Sequence, residues 1–181
     1  ARYRTDSETG VFLNVASAGF DAAVTRAAVG LKKRINAPFV YPLGILAALP
    51  SLRFWEMTIE ADGRRLRRNA LMVAIANGRR YGGGIRINPE GSMEDGRLEA
   101  ILYGKTTPAM MAATLPRFLL GRHRRLAHVE TLRCASVRIA SPRPLPINID
   151  GEVKESKSLK VDIVPRGLTL LTPPSLPRQR P

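Results

Sequence analysis

The dipeptide Asp-Gly occurs three times in the chain, at Asp62-Gly63, Asp95-Gly96 and Asp150-Gly151, and each copy borders a run typical of a β-strand. Asp-Gly favours the type I′ turn that joins two antiparallel strands. Several short strands connected in this way are typical of a sandwich or a barrel. We therefore predict a mainly β chain, α+β overall, built as an antiparallel β-sandwich or barrel with two or three inserted helices.

Alternation and apolar runs predict where the elements lie. The expected strands are residues 11–16, 54–60 and 64–68 as a hairpin, 70–76 as a central strand, 97–102, 129–132, 136–140, 146–150, 159–164 and 168–171. The expected helices are 22–35, with Asp21 as N-cap after a turn at 17–20, a short one within 39–49, and one that begins at Pro108 after Thr107 and ends before Gly121. Pro116 is expected to kink or split the last helix.

The chain has 181 residues and a net charge of +14, which favours anionic partners without choosing among nucleic acid, phosphorylated ligands and a membrane surface. A single cysteine, Cys134, excludes an internal disulfide and fits a reducing compartment. His123 and His128 lie in a basic stretch that we expect to be exposed, so they indicate neither a metal site nor a catalytic triad. No run approaches the roughly 18 apolar residues of a membrane-spanning helix.

The stretch from Ile147 to Glu152 is the first candidate for chemistry. Its alternating residues enter an Asp-Gly turn, so a strand end would hold Asp150 and Glu152 at the rim of a sheet. A rigidly mounted carboxylate can act as a general base if its geometry is right. The same pattern is also common as an ordinary turn with a nearby Glu.

Two loops are further candidates. The loop 77–84 follows the central strand, and its glycines allow close approach to a ligand while Arg79 and Arg80 can hold anionic oxygens. It lacks the Lys-Ser/Thr pair of a Walker A loop, and a plain glycine-rich hairpin loop is equally compatible. In the acidic segment 89–97, Asp95 and backbone carbonyls could bind a hard cation, or the segment could be a solvated turn.

An ordered set of short motifs runs through nearly the whole chain, from about residue 10 to 175. The set comprises Phe12-Leu13-Asn14-Val15-Ala16-Ser17-Ala18-Gly19-Phe20, Asn77-Gly78-Arg79 with Gly82-Gly83-Gly84, Pro89, Asp95-Gly96-Arg97-Leu98, Asn148-Ile149-Asp150-Gly151-Glu152, Val164-Pro165 and Leu171-Thr172-Pro173-Pro174. This set resembles the C-terminal lobe of the diacylglycerol-kinase-like lipid kinases, the bacterial YegS type related to sphingosine kinases.

The resemblance implies a fold and a division of the chain. The lobe would be a β-sandwich of the NAD kinase and diacylglycerol kinase type at residues 10–173. Residues 1–9 would link it to an N-terminal nucleotide-binding lobe, and residues 174–181 would be a disordered tail. The family's Gly-Gly-Asp-Gly-Thr motif is absent from this sequence, so we expect the isolated chain to be inactive.

The resemblance also implies roles for individual residues. Glu152 would accept the proton of the lipid hydroxyl, with Asp150 in support. The ATP-binding cleft would include the glycine loop, namely Asn77, Gly78, Arg79, Gly82, Gly83 and Gly84. A structural Mg²⁺ would be held by Asp95 and by backbone oxygens of Ser92 and Arg97. Asp21 would cap its helix or contact the lipid head group.

The expected partners are the N-terminal lobe and a lipid at an anionic membrane surface, for a cytoplasmic protein with peripheral membrane contact. Nucleic acid is not expected, and a homodimer is left open. Two other functions are compatible with the charge: a non-catalytic β-module that binds nucleic acid, and one that binds an anionic membrane. The aromatic content of 6% is low for the base stacking that the nucleic-acid function would need.

Overall fold

A computed structural model describes residues 1–33, 40–169 and 171. The strands in these ranges are β1 (Arg2–Thr5), β2 (Thr9–Val11), β3 (Val15–Gly19), β4 (Trp55–Ala61), β5 (Arg64–Ala70), β6 (Met72–Ala76), β7 (Leu98–Tyr103), β8 (Val129–Cys134), β9 (Ser136–Ile149) and β10 (Glu152–Asp162). The α-helices are α1 (Asp21–Lys32), α2 (Val40–Ala48) and α3 (Pro108–Leu119). Short 3₁₀ turns lie at Leu49–Ser51 and His123–Arg125.

The strands form an antiparallel arrangement organised by the long strand β9. The order is β2-β1-β10-β9-β3-β6-β7-β8, and β4 pairs with both β9 and β5. One half of β9, around Ile139, pairs with β4, whereas the other half, around Asn148, pairs with β3. Because β9 changes partner along its length, it belongs to both layers of the predicted β-sandwich, and the predicted fold class is confirmed.

The apolar run at 70–76 becomes β6, which is buried on both faces. Val73 and Ile75 point into a core between the strand layers, whereas Met72 and Ala74 point into a second core under the helices. Successive side chains of a strand point to opposite faces, so a strand between two cores must be apolar throughout. The helices therefore cover one outer side of the sandwich.

Several local predictions are confirmed. The hairpin around Asp62-Gly63 joins β4 to β5, and Asp62 and Gly63 both have positive φ, as a type I′ turn requires. The side chain of Thr107 accepts a hydrogen bond from the Met110 N–H at the start of α3. Pro116 lies inside α3, which is neither divided nor ended there, so of the two predicted outcomes the split is wrong and the kink stays a prediction.

Other local predictions are wrong. Residues 17–19 were predicted as a turn but belong to β3, while 12–14 lie outside any strand. Residues 136–140 and 146–150 are not two strands, because 136–149 form the single strand β9. No strand is present at residues 168, 169 and 171, and the predicted tail at 174–181 lies outside the described residues.

Residues 1–9 were predicted to be a linker, yet they contain β1, which pairs with β10 along its whole length. Its inner residue Tyr3 belongs to the core between the layers. The predicted helix at 22–35 begins one residue earlier, at Asp21, and α1 ends at Lys32, while the predicted positions Arg34 and Ile35 lie outside the described residues. No helix in residues 1–33 and 40–169 is long and apolar enough to cross a membrane.

Candidate functional site

The turn between β9 and β10 is held by the carboxylate of Asp150. Its oxygens accept hydrogen bonds from the backbone N–H groups of Leu13 at 2.8 Å, Asn14 at 3.1 Å and Val15 at 2.9 Å. The Asp150 N–H in turn donates to the Val15 carbonyl at 3.0 Å. Asp150 has φ of 46° and Gly151 of 102°, which completes the predicted type I′ turn. Asp150 therefore fixes the turn to the segment before β3.

Glu152 is the first residue of β10 and pairs with Ile149. Directly paired residues of antiparallel strands share a face, so Glu152 lies on the face of Ile149 and not on that of Asn148. Its side chain is 77% exposed and lies 3.5 Å from the ammonium of Lys154. Lys154 is held more closely by Glu8, at 2.6 Å, and that hydrogen bond is the main cause of the raised pKa of Lys154. Glu152 is thus an accessible carboxylate with one loose cationic neighbour.

The glycine loop after β6 is anchored at its base and bent at its tip. The side-chain amide of Asn77 donates to the Leu13 carbonyl at 2.7 Å, and the Gly78 N–H donates to Asn14. A Cβ at position 78 would collide with the Asn14 side chain. At the tip, Gly82, Gly83 and Gly84 all have positive φ, of 52°, 76° and 108°. The glycines are therefore required by backbone conformation and close contact.

The arginines of this loop differ in their contacts. Arg79 is half-buried, and its Nε donates to the Gly91 carbonyl. Its guanidinium thus ties the glycine loop to the acidic segment. Arg80 is exposed. Only the second of these two cations lies open to an anionic ligand.

One pocket of about 310 Å³ brings two predicted stretches together, although they are distant in sequence. It is lined by Gly82 and Tyr81 of the glycine loop, by Asp150 and Gly151 of the turn, and by Asn14, Val15, Thr25, Tyr41 and Asn148. Glu152 and the acidic segment around Asp95 do not line it. The structure therefore brings the predicted glycine loop and Asp150 together in one pocket. Glu152 follows Gly151 in the sequence but does not line this pocket.

The predicted metal ligands lie in a tight turn before β7. Asp95 accepts a hydrogen bond from the Arg97 N–H at 2.9 Å, and its other oxygen is 3.0 Å from the guanidinium of Arg133. The Ser92 hydroxyl accepts from the Glu94 N–H. One carboxylate with backbone carbonyls is a suitable donor set for a hard cation, but a cation here would have to displace Arg133. Among the described residues, no group of three or more His, Cys, Asp or Glu residues could hold a metal.

Asp21 was predicted to cap α1 or to contact substrate, and the capping prediction is wrong. Asp21 is the first residue of the helix, the N-cap position is Phe20, and no side chain caps the helix. The Asp21 carboxylate is instead buried, with 2% of the residue exposed, among side chains from β3, β9 and the glycine loop. Sequence reasoning missed these partners, Ser17, Tyr81 and Asn148, although Asn148 stands in the motif that drew attention to the turn.

Burial shifts the pKa values of Tyr81, Cys134 and His123. Burial, together with the nearby Asp21 carboxylate, raises the pKa of Tyr81 well above its usual value, so its hydroxyl keeps its proton. Burial raises the pKa of Cys134 to about 12, which leaves it an inert core thiol. His123 was predicted to be exposed, and this is wrong: it is fully buried, bonded to the Ile87 carbonyl and packed on Phe118 and Tyr103. Burial lowers its pKa.

Comparisons with known proteins show which family this chain is similar to. Residues 14–172 match the family described as the YegS C-terminal NAD kinase beta sandwich-like domain. The chain is 29% identical over 167 residues to a Pseudomonas putida protein named "Probable lipid kinase YegS-like", covering 92% of this chain and 55% of that protein. A protein of the same name from Yersinia enterocolitica is 24% identical over 164 residues, covering 91% and 54%. The chain therefore spans about half the length of the curated relatives it matches.

A solved structure of a candidate diacylglycerol kinase from Bacillus anthracis aligns with a TM-score of 0.64 and 17% identity, covering 91% of this chain and 54% of that one. At that identity the likeness shows the fold alone. The family match covers most of the chain and includes the glycine loop, the acidic segment and the Asp150 turn. The chain thus belongs to the YegS C-terminal NAD kinase beta sandwich-like domain family, the C-terminal domain of the lipid-kinase-like proteins.

Proposed function

We propose that this chain is the lipid-substrate and catalytic-base lobe of an ATP-dependent kinase that phosphorylates the hydroxyl of diacylglycerol or a similar lipid. The observation that carries the proposal is the pocket at which the glycine loop meets the Asp150-Gly151 turn. A cleft with Tyr81 and Gly82 of the glycine loop on one side and a fixed carboxylate turn on the other suits phosphoryl transfer, which depends mainly on positioning and charge neutralisation. The names of the lipid-kinase relatives support the substrate class.

Glu152 is our proposed proton acceptor for the lipid hydroxyl. Its carboxylate is accessible and stands at the start of a strand, directly after a turn that three backbone N–H groups clamp through Asp150. A rigid mount is what a general base requires. Because the Asp150 oxygens are occupied by these N–H groups, Asp150 supports the turn and does not share the proton.

Nucleotide and metal complete the proposal. ATP would lie along the glycine loop and be shared with an N-terminal nucleotide-binding lobe, so the chain alone is expected to be inactive. Mg²⁺ would be held by the Asp95 carboxylate and backbone oxygens of Ser92 and Arg97, after Arg133 has moved away. When bound, it would supply local neutralisation of negative charge.

The test is transfer of radiolabelled phosphate from ATP to a panel of lipids by the full-length gene product and its Glu152→Gln variant. The proposal predicts lipid-dependent transfer that the variant loses while it stays folded. Transfer that survives the substitution would keep the kinase and remove Glu152 as its base. Absence of transfer to any lipid by the full-length protein would contradict the proposed function.

A non-catalytic module that binds an anionic membrane is the second candidate, and one observation favours it. Arg4, Lys160 and Arg138 occupy directly opposite, exposed positions on β1, β10 and β9. Like charges placed opposite each other destabilise a sheet, and bound anions would relieve that repulsion. If this is the function, replacing all three by Gln should abolish binding to phosphatidylserine vesicles, and no lipid should be phosphorylated.

A further inference from the structure

The buried carboxylate of Asp21 has no part in the proton transfer proposed above, yet it accepts three hydrogen bonds. Its Oδ2 accepts from the Ser17 hydroxyl at 2.6 Å and from the Asn148 amide at 2.7 Å. Its Oδ1 accepts from the Tyr81 hydroxyl at 2.9 Å. A buried charge is costly unless it is hydrogen-bonded in this way, and the first turn of a helix favours a negative group. These donors are all neutral, so the carboxylate accepts hydrogen bonds from three parts of the chain and is not half of an ion pair.

Two of the three donors to Asp21 come from the two elements that face each other across the pocket. Tyr81 stands in the glycine loop, immediately before Gly82. Asn148 stands near the end of β9, and its own side-chain oxygen accepts the Gly151 N–H at 3.0 Å. A continuous chain of hydrogen bonds therefore runs from the glycine loop through Asp21 and Asn148 to the Asp150-Gly151 turn.

The tip of the glycine loop depends on this connection. The N–H groups of Gly84 and Ile85 bond back to the Tyr81 carbonyl, so the tip closes on itself around Tyr81. The hydroxyl of the same residue then fixes that closed tip to Asp21 at the start of α1. A Cβ at position 82 would meet the ring of Tyr41 on α2 at 3.0 Å, so the tip also passes close to this ring.

Direct contact between Asp21 and a substrate does not fit this arrangement. Asp21 is 2% exposed and is absent from the pocket lining, whereas its partners Tyr81 and Asn148 line the pocket. Both carboxylate oxygens already accept bonds from protein groups. A ligand in the pocket would meet the partners of Asp21 and not its oxygens.

We propose that Asp21 is a positioning residue that fixes the glycine loop relative to the Asp150-Gly151 turn through Tyr81 and Asn148. The role in turnover rests on the proposed kinase function, whereas the mechanical link between the loop and the turn does not. Misplacing reacting groups by as little as one ångström lowers turnover strongly. Loss of the link should therefore lower kcat more than it raises the KM for lipid.

Three variants of the full-length protein separate the possibilities. Asp21→Asn keeps the shape but offers one oxygen in place of two, so at least one of the three donors then faces an N–H. Tyr81→Phe removes only the hydroxyl that joins the loop to Asp21. Tyr103→Phe is the matched control, because it removes the hydroxyl of another buried tyrosine, one that has no hydrogen-bond partner among the described residues and does not line the pocket.

Amide hydrogen exchange and steady-state kinetics are measured on all variants. We expect Tyr81→Phe to accelerate exchange at Gly84 and Ile85, and Asp21→Asn to accelerate it at Gly151 as well, with the amides of β7 unchanged. Both variants should lose about tenfold in kcat with less than about a twofold change in lipid KM. The variant that carries both Asp21→Asn and Tyr81→Phe should lose no more kcat than Asp21→Asn alone, since the two residues act through one hydrogen bond. Tyr103→Phe should match the wild type.

Unchanged exchange at the loop and turn in Asp21→Asn and Tyr81→Phe would overturn the link, whatever the kinetics. A raised lipid KM with normal kcat would overturn the positioning role and assign Asp21 to substrate binding. If the wild type phosphorylates no lipid, the proposed function fails, while the exchange data still decide the link. The two failures are therefore distinguishable.

Discussion

Two Asp-Gly turns of this protein are built alike but lie in different surroundings. At the β4–β5 turn, the Asp62 carboxylate accepts the N–H groups of Ala135 and Ser136, and its own N–H donates to the Ser136 carbonyl. At the β9–β10 turn, Asp150 does the same with the segment before β3. Each carboxylate clamps a hairpin to a neighbouring strand. A carboxylate in such a turn is therefore a structural device that by itself indicates no catalysis.

The surroundings separate the two turns. The Asp62 turn borders an open cavity of about 430 Å³ lined by charged side chains such as Arg65, Arg138 and Lys160. The Asp150 turn borders the pocket shared with the glycine loop and backed by the buried Asp21 network. Only the second turn meets a buried hydrogen-bond network that reaches another loop. Function should follow this difference and not the turn motif.

The largest expected contrast is between Glu152→Gln and Glu60→Gln. Each Glu lies two positions from the Asp of its turn, and Glu60 is paired with Arg65 at 3.4 Å. Loss of a general base costs about 10²- to 10⁴-fold in turnover, so Glu152→Gln should fall in that range while Glu60→Gln stays within about twofold of the wild type. Initial-rate lipid phosphorylation by the full-length protein measures both. Equal losses would mean that neither effect is specific to the Asp150 turn.

Replacing the clamping carboxylates should separate stability from activity. Asp62→Asn and Asp150→Asn keep a residue that tolerates positive φ but weaken charge-assisted bonds to backbone N–H groups. We expect each to lower the free energy of unfolding by about 1–2 kcal/mol, as measured by urea denaturation. Only Asp150→Asn should also lower turnover, because it releases Asn14 and Val15 in the pocket. Loss of turnover in Asp62→Asn at a temperature where it is folded would contradict this.

The fold was largely predictable because its signals are local. The hairpin at Asp62-Gly63, the apolar strand β6 and the Thr107 cap each depend on a few neighbouring residues. The errors in predicting strands arose where the pairing between neighbouring strands changes. The strands predicted at 136–140 and 146–150 are one strand, because Pro142 and Pro144 lie where the β9–β10 register shifts and ladder bonds are skipped, so β9 continues through them.

The candidate site was only partly predictable because its contacts are non-local. Asp21 looked like an N-cap from its neighbours, but its burial is set by Asn148, 127 residues away, and by Tyr81, 60 residues away. His123 looked exposed in a run of arginines, yet the Ile87 carbonyl and two aromatic rings enclose it. The glycine loop and the Asp150 turn could be found separately, but nothing in the residues gave their shared pocket.

Acid should remove the contribution of the Asp62 clamp. The N–H groups of Ala135 and Ser136 hold the pKa of Asp62 below its usual value. A lowered folded pKa gives stability that is present above the unfolded pKa, about 4, and is lost as the pH falls through the folded pKa. The stability gap between wild type and Asp62→Asn should thus be constant from about pH 7 to 5 and shrink below about pH 4. Urea denaturation across this range measures it, and a gap that widens in acid would contradict the clamp.

The smallest expected difference is between Gly63→Ala and Gly151→Ala. Gly63 has φ of 85° and Gly151 of 102°, and a Cβ at either position would meet nothing within 4 Å. The cost is therefore conformational strain alone, about 1 kcal/mol in each variant. Urea denaturation should give equal losses within about 0.5 kcal/mol. A larger loss of unfolding free energy in Gly151→Ala would show that the β9–β10 turn is coupled to the rest of the molecule more tightly than the β4–β5 turn. The coupling would run through the hydrogen bond from the Gly151 N–H to Asn148, and from Asn148 to Asp21.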